Sequence, residues 1–400
     1  MKRVLIIHSN MEIGGAESSL LGLMDRFDFE NYQVDLFLYS QEGELLSLVN
    51  SKVHILKEVG EYKALMEPIR KNIKDGFLCI AVARIFAKIR SKLSKGALHT
   101  AHNYKQYFHK LCLPFLPRLE GKYDLAISFS DPHFIIGEKV DAHIKMAWFH
   151  TDASRIVFCD RIEDEMWNMS DYVVNVSKDC KNAFDKKHPN LKTQSIVIEN
   201  ILSRELLLYQ SKKIDVSSEM KRKKNQILLL SVGRFSHAKN FDNVPDICRR
   251  ILESGIQVIW YLIGYGGDEL LIRRKIEEFG MQEHVIILGK KSNPYPYMKA
   301  CDVYVQPSRY EGKCVAVREA QILQKPVVIT RYATSASQLE DGVDGVIVPM
   351  DNQGCAEGII RLLKDLEYRK QLSRNCAEGE YTNKAEIEKI YACMENMSED

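Results

Sequence analysis

The chain has 400 residues with a formal net charge of +2, 45% apolar and 28% charged residues. That length implies two domains rather than one core, and the balance is ordinary for a soluble globular protein, with no nucleic-acid partner expected. The ten cysteines are scattered without a C-x-x-C pair, which excludes a disulfide framework or zinc site and suits a reducing cytoplasm.

The chain starts "MKRVLIIHSN", whose four consecutive apolar residues are too few for a signal-peptide core or a membrane span. It reads as a first buried strand. Further short apolar, β-branched runs follow at 33–39, 52–56, 124–130, 143–150, 172–177 and 195–200. A second series lies at 226–233, 257–264, 284–289, 302–308, 326–330 and 345–349. Nearly continuous apolar runs suit strands buried on both faces, and the helical patterns between them imply parallel sheets built from βαβ units. The expected fold class is therefore α/β, with two doubly wound Rossmann-like domains and a cleft between them. The expected divisions are an N-terminal domain over 1–205, a polar linker over 206–225, and a second domain over 226–375. A C-terminal helix and acidic tail over 376–400 would return to the first domain. In such sheets ligands bind beyond the carboxyl ends of the strands.

After the first strand, Gly14 and Gly15 precede a helix, which permits either a plain tight turn or the approach of an anion to free N–H groups. Residues 60 to about 120 interrupt the strand pattern. Their stretch "FLCIAVARIFAKIRSKLSK" (77–95) mixes apolar residues, among them Phe77, Ile85, Phe86, Ile89 and Leu93, with cations. From Arg84 to Arg118 there are eight Lys or Arg and no Asp or Glu. The reading is an inserted helical pair whose basic face is either solvated or rests on anionic lipid.

In the second half, Arg234 and Lys239 stand five apart in "SVGRFSHAKNFD", where a strand ends and a helix begins. They are either solvated surface cations or a pair that neutralises a diphosphate. Gly264 and Gly266 follow the next strand in "LIGYGGDEL" and again allow close backbone approach. In "YEGKCVAVREA" (310–320), Gly312 precedes a helical run expected over 314–324. On that helix Val315, Glu319 and Ile322 share one face, so Glu319 points into an interior or a crevice. A carboxylate there needs donors, either structural groups or the hydroxyls of a ligand. Glu311 stands ahead of the free N–H groups of the helix start, where an anion would dock.

The E-x7-E spacing of Glu311 and Glu319 after "CDVYVQPSR" resembles the signature of family 4 retaining glycosyltransferases, which have the GT-B fold. "GGAE", "AWFHTD", "VIEN", "SVGRFSHAKN", "LIGYGGDE" and "DGVDGVIVP" follow in the family's order. The resemblance implies that Arg234 and Lys239 bind the diphosphate of a nucleotide sugar and that Glu311 contacts the sugar. It implies further that Glu319 holds the ribose and that His150 lies near the reaction centre. Gly14, Gly15, Gly264, Gly266, Gly312, Lys313, Cys314 and Val315 complete the expected donor site. The chain departs from the family at Lys313 and Cys314, where Phe-Gly is common, and in "TRYATSASQLE" (330–340), which lacks the paired glycines usual there.

The resemblance is greatest to the bacterial branch that builds capsular, exopolysaccharide or lipopolysaccharide chains. The expected reaction moves a hexose from a nucleoside diphosphate, UDP by expectation, to a lipid-linked or oligosaccharide hydroxyl with retained configuration. It would need neither cofactor nor metal, since no D-x-D-like pair stands at a strand end. The expected location is cytoplasmic, peripheral on the membrane's inner face through 84–118. The competing classes are a nucleotide-sugar epimerase or hydrolase of the same fold and a nicotinamide oxidoreductase. The latter lacks its G-x-G-x-x-G fingerprint after the first strand.

Overall fold

The computed structural model describes residues 1–93, 101–151, 153–156 and 160–396. The expected apolar runs form thirteen strands. In the first series these are β1 (Lys2–His8), β2 (Tyr32–Leu38), β3 (His54–Ile55), β4 (Lys122–Ser128), β5 (Asp141–Phe149), β6 (Tyr172–Asn175) and β7 (Gln194–Val197). The second series is β8 (Ile227–Val232), β9 (Val258–Ile263), β10 (Val285–Gly289), β11 (Val303–Gln306), β12 (Val327–Thr330) and β13 (Val346–Val348). The run at 302–308 stops pairing at Gln306 because Pro307 has no N–H to give the ladder. Pro349 ends β13 in the same way.

The first sheet has the order β3-β2-β1-β4-β5-β6-β7 and the second β10-β9-β8-β11-β12-β13. The pairings between these strands are parallel. In both sheets the earliest strand is central and the order reverses beside it, giving a switch point at β1/β4 and another at β8/β11. Side chains alternate across the second sheet. On β8, Leu228 and Leu230 join one core layer while Leu229 joins the layer on the opposite face. That double burial explains why the strand sequences are apolar without alternation.

Between β3 and β4 the described residues form four α-helices in place of the expected inserted pair. The helix after β1, α1 (Gly15–Met24), is followed there by α2 (Gly60–Met66), α3 (Ile69–Lys74), α4 (Leu78–Leu93) and α5 (Ala101–Cys112). Phe77 is not part of the α4 surface. It packs on the first core and against Gly60. Lys95, within the expected basic region, lies outside the described residues, as do Asp152 and the tail 397–400.

The chain divides into one unit of Met1–Ile201 with the segment from Lys384, and a second unit of Leu202–Asn383. The stretch 206–225 expected as a linker is part of the second unit. Ser203 caps the helix Arg204–Gln210, and Leu207, Val216 and Met220 are buried in that unit's core. Its many lysines conceal three apolar anchors too irregularly spaced to register as an element. The expected break at 376 falls inside the helix Leu366–Glu378, where Leu372 and Cys376 are buried. The C-terminal helix Ile387–Asn396 belongs to the first unit. Its Tyr391 ring stacks on Tyr32 at 4.6 Å, and the Tyr391 hydroxyl accepts from the Asp28 N–H at 3.0 Å.

Candidate functional site

In the second unit the loops after β8 and β11 leave the sheet side by side at its switch point, and specific bonds tie them together. Asn240, at a positive φ of 61°, is buried and donates from Nδ2 to the Pro307 carbonyl at 2.9 Å. The Arg309 guanidinium forks onto Asp242 at 2.9 and 2.7 Å and donates to the His237 carbonyl at 2.7 Å. This lacing brings Lys239 Nζ to 2.7 Å from Glu311 Oε1. Ser308 Oγ donates to the same oxygen at 2.5 Å, and Thr334 Oγ1 donates to the Glu311 carbonyl at 3.0 Å. Gln338 Oε1 accepts from the Cys314 N–H at 2.7 Å. Thr334 and Gln338 lie in the loop without paired glycines, so this chain uses side chains there to fix the Glu311 loop.

Burial opposes the charge on Lys239, but the Cys314 sulfur and the Glu311 carboxylate outweigh it and hold the pKa above the ordinary lysine value. Burial, reinforced by Glu311, pushes the Cys314 thiol up to about 12. Cys314 is therefore uncharged at neutral pH, and the carboxylate is the partner that matters to Lys239. Arg234 contrasts with this. It is exposed at the end of β8 and has no hydrogen bond or ion pair among the described residues. One cation is held in place and one is available, five residues apart in the loop at the switch point.

The Lys239–Glu311 pair, with side chains 18% and 11% exposed, also supports the loops mechanically. Lys239→Ala leaves a largely buried carboxylate unpaired and is expected to cost about 3 kcal/mol. The double variant Lys239→Ala/Glu311→Gln should recover most of that in a denaturant titration. Additive losses would show that the pair is not coupled.

Glu319, on the helix Val315–Ile322, is 5% exposed, and Tyr295 Oη donates to its Oε1 at 2.9 Å. At least one of its donors is thus structural. Cys314, Val315 and Lys313 are buried beside it, and Gly312 joins their loop to Glu311. Gly264 and Gly266 have φ of 154° and 153°. A Cβ on Gly264 would stand 1.9 Å from the Gly233 carbonyl, and one on Gly266 would stand 2.3 Å from that of Phe235. The close approach these glycines allow is therefore made by the Arg234 loop. Phe235 N–H donates to the Tyr265 carbonyl at 2.8 Å and Gly233 N–H to that of Ile263 at 3.0 Å. Their contribution to a ligand site is to hold the backbone that carries Arg234.

His150, Gly14 and Gly15 belong to the first unit, a separate set from the residues above. His150 Nε2 lies 2.8 Å from the Phe129 carbonyl. A carbonyl only accepts, so Nε2 carries the proton and Nδ1 the lone pair. Burial pushes its pKa down to about 4, leaving a neutral ring that can accept a hydroxyl hydrogen bond. Gly14 precedes α1 and Gly15 opens it, but the charged group there is Glu17, 3.1 Å from His8 Nε2. Burial alone would raise the Glu17 carboxyl, yet the His8 hydrogen bond and charge outweigh it and hold it low. Glu17 was visible as the acid of "GGAE", whereas nothing local marks Tyr295, Ser308, Thr334 or Gln338 as its counterparts in the second unit. Among the described residues, no three His, Cys, Asp or Glu side chains gather as metal ligands.

With this geometry in hand, comparison with known proteins gives the following. Residues 213–378 match the family of glycosyl transferases group 1. That segment lies within the second unit and contains Arg234, Lys239, Glu311 and Glu319. An uncharacterised glycosyltransferase of Methanocaldococcus jannaschii is 30% identical over 215 residues, 52% of this chain and 54% of that protein. A relative from Campylobacter jejuni is 31% identical over 144 residues, 36% of this chain and 39% of the relative. Its name is N-acetylgalactosamine-N,N'-diacetylbacillosaminyl-diphospho-undecaprenol 4-alpha-N-acetylgalactosaminyltransferase. The chain thus spans about half, or less, of these relatives' lengths. The crystal structure of Anabaena HepE in complex with UDP and glucose superposes with a TM-score of 0.70 at 16% identity, covering 99% of this chain and all of that one. The fold is GT-B.

Proposed function

We propose that the second unit binds a nucleoside-diphosphate hexose, UDP-linked, and that the chain transfers the hexose to a hydroxyl of a lipid-linked bacterial surface polysaccharide. The observation that carries this reading is the pair of cations at the β8/β11 switch point: Arg234, without a hydrogen-bond or ion-pair partner among the described residues, and Lys239, held at 2.7 Å from Glu311. A diphosphate there would meet the free guanidinium, and Lys239, with three donors, can serve it without releasing Glu311. The C. jejuni relative is named for a diphospho-undecaprenol-linked sugar, and the HepE structure holds UDP and glucose, which supports the choice of substrates.

As the anomeric C–O bond breaks, positive charge grows on the sugar and negative charge on the leaving diphosphate. Arg234 and Lys239 stabilise the leaving charge, as a metal ion would elsewhere. Departure and attack on the same face retain the anomeric configuration, as in family 4. We further propose that the reaction runs in the cytoplasm at the inner membrane face.

Two measurements test the reading. Transfer from a UDP-hexose to a lipid-linked acceptor should persist in EDTA and give the retained anomer by NMR; loss of turnover in EDTA would remove the metal-independent mechanism. Glu319→Gln keeps an acceptor for Tyr295 but loses the charge, and should weaken UDP binding about tenfold by calorimetry. Unchanged affinity would make Glu319 a purely structural acid.

A further inference from the structure

Helix α4 is amphipathic with the sense reversed from a core helix. Its buried face carries Ile80, Ala81, Ala83, Ala87 and Ser91. Its solvent face carries Leu78, Val82, Ile85, Phe86, Ile89 and Leu93, which are 56%, 50%, 42%, 61%, 48% and 74% exposed. At about 100° per residue these six fall within an arc of roughly 100°, an unbroken apolar stripe along the whole helix. Packing against α5 explains the small residues, which let the two helices approach. It does not explain six bulky apolar side chains facing solvent, since soluble proteins rarely expose a contiguous patch of this kind without a partner.

The charges bordering the stripe define the partner. Lys88 and Lys92 flank it on one side and Arg90 on the other, and the neighbouring α3 adds Arg70 and Lys74. Arg70, Lys74, Lys88 and Lys92 are exposed and have no hydrogen bond or ion pair among the described residues. No Asp or Glu occurs between Gly76 and Leu119. Beside the stripe, Met66, Pro68, Arg70, Arg84, Lys88 and Tyr104 line an open concavity of about 670 Å³. Arg84 is committed, donating to the Glu67 and Leu65 carbonyls, which leaves Arg70 and Lys88 as the concavity's available cations. A protein partner complementary to this surface would need an apolar ridge edged by acids. A lipid leaflet with anionic headgroups supplies both parts together, an apolar interior and a phosphate layer at its rim. Among the described residues no helix is long and apolar enough to cross a membrane, which leaves α4 to lie in the plane of the leaflet.

We propose that α4 is an in-plane anchor: Leu78, Val82, Ile85, Phe86, Ile89 and Leu93 enter the acyl boundary of an anionic leaflet, and Arg70, Lys74, Lys88 and Lys92 contact its phosphates. The surface expected over 84–118 is thereby moved. It begins at Leu78, its apolar part carries the insertion, and α3 rather than α5 supplies the added cations.

The test is co-sedimentation of the full chain with phosphatidylcholine vesicles, with and without 30 mol% phosphatidylglycerol, at low and high salt. Binding to the anionic vesicles should exceed binding to the neutral ones at least tenfold and fall steeply with salt. Ile85→Ser/Phe86→Ser/Ile89→Ser and, separately, Lys88→Glu/Lys92→Glu should each reduce it about tenfold or more. These side chains are exposed, so folding, checked by melting temperature, should be retained. Phe86→Trp should show a blue-shifted emission only with anionic vesicles. Equal binding to both vesicle types, no effect of either multiple variant, or an unshifted emission from Phe86→Trp overturns the proposal. So does a lipid-free dimer, seen by sedimentation velocity, that the triple Ser variant converts to monomer, since the stripe would then cover a second copy. Vesicle binding does not depend on sugar transfer. A chain that binds vesicles but transfers no hexose would keep this surface and remove the reaction proposed above.

Discussion

Arg234→Ala is expected to lower turnover on the order of 10²- to 10³-fold, the usual loss when one donor to developing transition-state charge is removed. Arg234 is exposed and has no hydrogen bond or ion pair among the described residues, so its removal breaks no contact seen there. The melting temperature should stay close to that of the parent, as for other surface substitutions. Because the diphosphate becomes more negative as the sugar leaves, kcat should fall more than donor affinity. Arg234→Lys should recover only part of the loss, because an ammonium cannot fork onto two phosphate oxygens. Initial rates alongside calorimetric UDP titration check this. Unchanged turnover with Arg234→Ala would remove the diphosphate from the β8 end.

The second large effect concerns acid. Burial pushes the pKa of His109 and His133 down to about 3 and that of His150 to about 4, all three in the first unit. Unfolded histidines titrate near 6.5, so between about pH 4 and 6.5 the unfolded chain binds up to three more protons than the folded one. More protons on the unfolded state mean that stability rises with pH across this window and is lost as pH falls through it. Full linkage of three groups gives a slope approaching about 4 kcal/mol per pH unit, an upper limit. His102 does not cancel it. Burial lowers its pKa, but Glu163 outweighs burial and the net shift is upward, so below 6.5 it is protonated in both states. Denaturant titrations from pH 4.5 to 7.5 should show the steep fall, and His133→Asn should flatten it. A flat profile would mean that these rings are hydrated.

The central strands were legible because they are buried on both faces, so a short apolar run is their complete local cause, whereas β3 and β7 at the sheet edge are partly exposed. Glu319 was legible for a related reason, since its spacing from Val315 and Ile322 places it on a buried helix face. The Lys239–Glu311 contact was not. It depends on β8 and β11 being neighbours in the sheet, a crossover that no local pattern encodes. Gly264 and Gly266 show the converse difficulty. A glycine needed for close approach looks the same whether the approaching group is a ligand or, as here, the Arg234 loop. The stretch 206–225 reads as a linker because composition is an average, and three buried side chains among many lysines hardly change it.

The Leu202 N–H donates to the Thr382 carbonyl at 2.9 Å, so the first residue of the second unit is hydrogen-bonded to its next-to-last. A segment whose termini meet is a self-closing insert, one that a cut at each end could excise intact. Residues 202–383 should therefore be a graftable cassette, exchangeable between hosts through a single paired seam, whereas the rest of the chain is sewn from two pieces that only the insert's departure would leave to find each other.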